Sequence, residues 1–127
     1  MRTFVIPPKY LDKKILLYEH WSIHVILNAI VYGGRFKSNS WVNMWRRNTK
    51  GLIQRHRLIC KEFEFRGVNH QSPISLQRKF FTGEGLEISS EDIRKDLIYL
   101  LSRKGLKIDT FSLVELSKKL RFQEKKT

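Results

Sequence analysis

The chain has one cysteine, three prolines and, from His20 to Cys60, no acidic residue at all. Each shortage excludes something. A single cysteine cannot form an internal disulfide, and Cys60 cannot build a thiolate zinc cluster alone, so a reducing, intracellular compartment is expected. Cys60 lies among Leu58, Ile59 and Phe63 at helical spacing, which reads as a core thiol, with a nucleophile as the alternative. No apolar run approaches the roughly 20 residues of a spanning helix. The longest, Val25 to Tyr32, is interrupted by Asn28. The opening stretch Met1 to Pro8 lacks the apolar region and small-residue cleavage site of a signal peptide. A membrane is therefore not expected as a partner.

What is abundant is positive charge. The 127 residues carry 25 Lys and Arg against 12 Asp and Glu, a net +13. Such an excess opposes compaction and points to a polyanionic partner. The charge is uneven: residues 1–67 hold 13 Lys and Arg against 4 Asp and Glu. The acid-free stretch contains Arg35, Lys37, Arg46, Arg47, Lys50, Arg55 and Arg57, together with His20, His24, His56 and all three tryptophans. A run of cations facing phosphate gives strongly salt-dependent binding. Trp41 and Trp45, one helical turn apart, read as core for at least one of the two, and as a base-stacking surface for the other. Duplex DNA is the expected partner, with RNA the alternative.

Hydrophobic periodicity predicts an all-α fold. Pro7 and Pro8 predict an extended arm over residues 1–9. Leu11, Ile15, Leu16, Ile23, Ile26, Leu27 and Ile30 recur at helical steps up to Tyr32, where Gly33 and Gly34 stop the pattern. A short helix follows from Trp41 to Arg47, capped by Ser40 or Asn39. A third runs from Asn48 or Thr49 to about Arg66, with Leu52, Ile53, His56, Ile59, Cys60 and Phe63 facing inward. Residues 68–88 read as a loop with one short helix at Leu76–Phe81. Ser89 caps a fourth helix, with Asp92 completing a capping box, and Gly105 ends it. A fifth spans Asp109 or Thr110 to Phe122. The organisation expected is a helical domain over 1–67, a connection over 68–88, and a helical hairpin over 89–122 packed on the domain. The alternative role for that hairpin is to bind a protein partner.

Among candidate chemical groups, Glu19 falls on or beside the apolar stripe of the first helix and is the only carboxylate between Asp12 and Glu62. A lone acid on a basic, partly buried face suits acid–base work on DNA. The plainer alternative is a carboxylate paired with Arg or Lys. Ser22 lies one turn beyond, near His20 and His24, but without an orienting acid or oxyanion loop. His20, Glu19 and His24 do not match a zinc spacing such as H-E-x-x-H, so neither a metal nor another cofactor is expected.

Three segments carry a resemblance. They are Met-Arg-Thr-Phe-Val-Ile-Pro-Pro-Lys-Tyr-Leu-Asp (1–12) with the helix that follows to Ile30, Trp41-Val-Asn-Met-Trp-Arg (41–46), and Ile59-Cys-Lys-Glu-Phe-Glu-Phe-Arg-Gly (59–67). In order and spacing they resemble the pyrimidine-dimer DNA glycosylases of the phage endonuclease V type, in their divergent bacterial branch, over residues 1–67. The resemblance implies a compact helical fold. It also implies an N-terminal α-amine that attacks the sugar C1′ of a damaged nucleotide, releases the base as a Schiff base forms, and cuts the strand by elimination. An α-amine suits this because its ordinary pKa lies near 7.7. Here the amine is that of Met1, expected to be retained because Arg2 is large. Arg2 is placed to lower its pKa and contact phosphate.

The sequence departs from the family in two places. Ungapped pairing from Leu11-Asp12 puts Ser22 where the family has a catalytic glutamate, with Glu19 one turn earlier. Lys37-Ser38-Asn39-Ser40 replaces a turn with Arg and a His-Pro pair. The resemblance thus implies Met1, Glu19 and Ser22 at the reactive centre. Arg2, His20, His24, Arg35, Lys37, Trp41, Arg46, Arg47, Lys50, Arg55 and Arg57 are the expected DNA contacts. Three functions are consistent with this: an active DNA glycosylase/AP lyase, a DNA-binding descendant without the reaction, and a basic RNA- or ribonucleoprotein-binding subunit.

Overall fold

The computed structural model describes residues 3–69, 72–86 and 90–101. Among the described residues there are four α-helices, α1 (Lys13–Tyr32), α2 (Ser40–Arg46), α3 (Thr49–Phe65) and α4 (Ser90–Leu101), and no strand. The chain is therefore all-α, as its periodicity predicts. Met1, Arg2, the Ser89 cap, the Gly105 stop and the fifth helix expected over 109–122 lie outside the described residues.

Local chemistry explains the helix ends. Asp12 caps α1, its carboxylate accepting from the Ile15 N–H at 2.9 Å, so the helix starts at Lys13 and not at Leu11. Gly33, at φ 73°, takes the left-handed turn that ends it. Asn39 caps α2 and Asn48 caps α3. The helix expected at Leu76–Phe81 is only a 3-10 turn, Arg78–Phe80.

The N-terminal arm departs most from expectation. It is extended up to Pro7, but Pro8–Tyr10 then form a 3-10 turn. Proline at the first position of such a turn is compatible with it, because that N–H has no intrahelical acceptor. The arm is also buried. Thr3, Phe4, Ile6, Pro8, Tyr10 and Leu11 are all inside. Phe4 and Ile6 join Leu16, Ile23, Ile26 and Leu27 of α1, Val42 and Trp45 of α2, and Leu52, Ile59 and Phe63 of α3 in one core. Ile93 and Leu100 of α4 belong to the same core, and Tyr99 packs a tilted ring on Phe4 at 6.0 Å. The inward face of α3 differs from the apolar stripe expected: Ile53 and Cys60 are only partly buried, whereas Arg55 is fully buried.

By length and composition α1 is able to cross a bilayer. Its inward face nonetheless carries Glu19, His20 and Ser22 against the other helices. That is the pattern of a core helix, because a polar face needs protein partners when it leaves water.

The loop after residue 72 is stitched to the start of α3. The Thr82 hydroxyl accepts from the Thr49 N–H at 3.0 Å and donates to the Arg46 carbonyl at 2.8 Å. The Thr49 hydroxyl accepts from the Thr82 N–H at 2.8 Å and donates to the Phe80 carbonyl at 2.6 Å. The Lys50 N–H donates to the Thr82 carbonyl. Asn48 accepts from Gly51 and Gly85 and donates to the Gly85 carbonyl at 2.9 Å. Gly83, at φ 75°, lies so close that a methyl group there would collide with Asn48 and the Arg47 carbonyl. The first N–H groups of α3 are thus satisfied internally and not offered to phosphate. Replacing Asn48 with Ala removes both the cap and the loop's anchor. It is expected to cost about 1–2 kcal/mol of stability, read from the shift of the urea unfolding midpoint at unchanged slope.

Candidate functional site

The arm is held one residue at a time by side chains from each of the four helices among the described residues. Thr3 accepts through its hydroxyl from Trp45 Nε1 at 3.1 Å. The Phe4 N–H donates to Glu19 Oε2 at 3.0 Å, and the Val5 N–H donates to Asp96 Oδ2 at 2.7 Å. The Ile6 carbonyl accepts from Arg55 Nη1 at 2.6 Å. Farther along, Arg66 donates to the carbonyls of Pro8 and Leu11 while paired with Glu62.

At the centre is a buried ion pair. Arg55 Nε reaches Glu19 Oε2 at 2.6 Å and Arg55 Nη2 reaches Oε1 at 2.9 Å, a two-pronged contact. Both side chains are at most 1% exposed. Glu19 is thus the paired carboxylate, and both its oxygens accept from Arg55 or Phe4. Arg55, expected to face DNA, is instead an interior residue, because the only acid on α1 within its reach needs a partner there. Ser22 is buried as well, its hydroxyl donating to the Tyr18 carbonyl at 2.9 Å.

Beside the arm opens a cleft of about 630 Å³. Thr3 and Val5 form one wall and Trp41, Met44, Trp45, Arg47 and Asn48 another. Asp92, Lys95 and Asp96 of α4 close it. Glu19 and Ser22 do not line it. The carboxylates that line the cleft are therefore Asp92 and Asp96 of α4, with Glu84 of the preceding loop, on segments beyond the residues that carry the family resemblance. The only available signal was Asp96 itself, an acid on the same helix face as Ile93 and Leu100. Trp45 is the core member of the tryptophan pair, and Trp41 is half-buried at the cleft.

Of the expected DNA contacts, Arg35, Lys37, Arg46, Arg47, Lys50 and Arg57 are exposed. Arg46 Nη2 donates to the Lys37 carbonyl at 3.2 Å, which brings the basic turn against α2. His20 does not face solvent; it is 2% exposed. Its Nε2 lies 3.0 Å from His56 Nε2, with the two rings stacked at 4.8 Å. His24, half-buried, meets both rings edge-on at 4.8 and 5.1 Å. Cys60 Sγ lies 3.7 Å from His56 Nε2. Burial first, and the neighbouring His24 second, push His56 down from 6.5 to about 4, against a smaller opposite effect of a bond to the Ser72 backbone. Burial pushes the Cys60 thiol up.

Two expectations follow. Removing one partner of the buried pair, as in Glu19→Gln or Arg55→Met, strands a buried charge. It should cost about 3–5 kcal/mol, while a double replacement by apolar residues of similar size recovers most of the loss; chemical denaturation reads both. His56, neutral in the folded protein, takes a proton on unfolding anywhere between its lowered pKa of about 4 and its ordinary 6.5. Stability from this group is therefore complete above pH 6.5 and lost as pH falls towards about 4. Unfolding free energies across that window should flatten in His56→Gln.

The family model for pyrimidine dimer DNA glycosylases matches residues 1–76, a span that takes in the arm, α1, α2, α3 and the first part of the loop. No curated protein and no solved structure gives a match. With its arm, its buried pair and its first three helices all inside the matched span, the chain belongs to the pyrimidine dimer DNA glycosylase family.

Proposed function

We propose that this protein is a DNA glycosylase/AP lyase that uses the α-amine of Met1 on duplex DNA. The observation that carries the reading is the anchoring of the N-terminal arm. Four consecutive residues, Thr3 to Ile6, each bond a side chain of a different residue, Trp45, Glu19, Asp96 and Arg55. A nucleophile on a chain terminus loses most of its effect if the terminus is free to wander, because orientation is a large part of such catalysis. Two residues, about 7 Å of chain at most, separate Thr3 from the amine.

In the reaction, the amine nitrogen bonds to C1′ as the glycosidic bond breaks, and the base leaves with the bonding electrons and a proton. Opening of the sugar and loss of a proton from nitrogen give the Schiff base. Removal of a C2′ proton then expels the 3′ phosphate, and water releases the amine. Glu19 is a positioning residue in this scheme, holding the arm through Phe4. Ser22 takes no part in proton transfer. Asp92 and Asp96, which line the cleft beside Thr3, are the carboxylates we assign to proton movement. The exposed Arg35, Lys37, Arg46, Arg47, Lys50 and Arg57 are the phosphate contacts, and Trp41 at the cleft is the stacking group.

A second reading, a DNA-binding descendant without the reaction, is favoured by one observation. The Ser22 hydroxyl, at the position that ungapped pairing from Leu11-Asp12 gives to the family's glutamate, is spent on a bond to the Tyr18 carbonyl. Borohydride trapping on duplex DNA with an abasic site separates the two. The active reading expects a covalent adduct that disappears on N-terminal acetylation and forms more slowly in Asp92→Asn at unchanged DNA affinity. No adduct at full DNA occupancy sinks it in favour of the second. Binding should weaken with salt at a logarithmic slope of about −5 if all six exposed cations meet phosphate; tighter binding to structured RNA than to duplex DNA would favour the RNA alternative.

A further inference from the structure

The histidine cluster lies outside the cleft and has no part in the chemistry above. We propose that His20, His24 and His56, with the Cys60 thiolate, bind a divalent transition-metal ion, zinc by the chemistry of the donors. His20 and His24 are four apart on α1 and so share a face. His56 is brought to them because α1 and α3 pack in a register fixed one residue earlier by Glu19 and Arg55. The sequence offers only H-x-x-x-H; the third ligand comes from 36 residues away.

The distances fit a tetrahedral ion. One ring nitrogen from each histidine lies within 4.8 Å of the other two. Zn–N bonds of about 2.0–2.1 Å place ligand nitrogens about 3.3 Å apart, and a Zn–S bond of about 2.3 Å places sulfur about 3.6 Å from nitrogen. His20 and His56 are at 3.0 Å; Cys60 Sγ is 3.7 Å from His56 Nε2 and 3.8 Å from its Nδ1, so the thiol reaches the ion by turning about its Cα–Cβ bond. The widest nitrogen pair must close by about 1.5 Å, which imidazole rotation on a helix can supply. A single N–H···N bond accounts for His20 with His56, but not for a third imidazole gathered at the same point, with a thiol beside His56. Imidazole with thiolate selects borderline metals over magnesium or calcium, which take oxygen.

The site also has a route in. His56 and Cys60 line a cleft of about 390 Å³ with Ser72, Pro73 and Ile74, and His24 lines one of about 680 Å³ that includes the same Pro73 and Ile74. With four protein ligands the ion is closed to water. Its role is to pin α1 to α3 directly beside the buried pair that holds the arm, and it takes no step in catalysis.

The test is titration of the metal-free full chain with Co²⁺, then with Zn²⁺ as competitor. The expected result is one ion per chain, an intense visible spectrum of tetrahedral cobalt and a near-ultraviolet thiolate band that Cys60→Ser removes. His24→Gln, chosen because His24 is only half-buried, should lower affinity at least about 100-fold while keeping the helical circular dichroism. Sub-stoichiometric binding, a weak octahedral spectrum without the thiolate band, or unchanged affinity in His24→Gln would overturn the proposal. The wild-type spectrum decides it even where a variant fails to fold.

Discussion

The buried contact between Glu19 and Arg55 is the interaction on which the rest of the molecule depends. Two opposite charges withdrawn from water are tolerated only when their hydrogen-bonding capacity is also met. Here the surplus capacity is spent on the arm: Glu19 takes the Phe4 N–H, and Arg55 gives to the Ile6 carbonyl. An extended segment cannot satisfy its own backbone, so burying it requires outside partners at each polar group. The ion pair supplies two of them, Asp96 takes the Val5 N–H, and Trp45 holds Thr3 by its side-chain hydroxyl. The arm is therefore as much a core element as the helices around it.

This arrangement ties the N-terminal end to the helices in a way a surface arm could not. The pair fixes the register of α1 against α3, the same register stacks His20 on His56, and the arm then forms one wall of the cleft. Positioning, the histidine cluster and the cleft share one mechanical origin. The anchoring of the arm is what the proposed amine nucleophile requires, since a reactive group at a chain end is effective only when that end is held.

Much of the fold was legible from the residues alone. Helical periodicity marked α1 and α3, and the caps at Asn39, Asn48 and Gly33 follow from side-chain and backbone preferences that act within a few residues. The exposed cations could be read too, since charge prefers water. The differences share a cause. Arg55 is an expected DNA contact that turns inward, and the expected extended arm is a buried one, because the deciding partner, Glu19, is 36 residues from Arg55 and 15 from Phe4.

The sequence by itself determined the all-α class and the acid-free basic stretch from His20 to Cys60, because these rest on local spacing and composition, and it carries the ordered segments that the family model matches. Only the tertiary structure decided that the stretch is not all surface. Three of its basic members turn inward, Arg55 to meet a carboxylate and His20 and His56 to meet each other, while Arg35, Lys37, Arg46, Arg47, Lys50 and Arg57 stay outside. No local rule separates Arg55 from Arg57 on α3. The difference is one of helix face, and which face is inward is fixed only once α1 packs against α3.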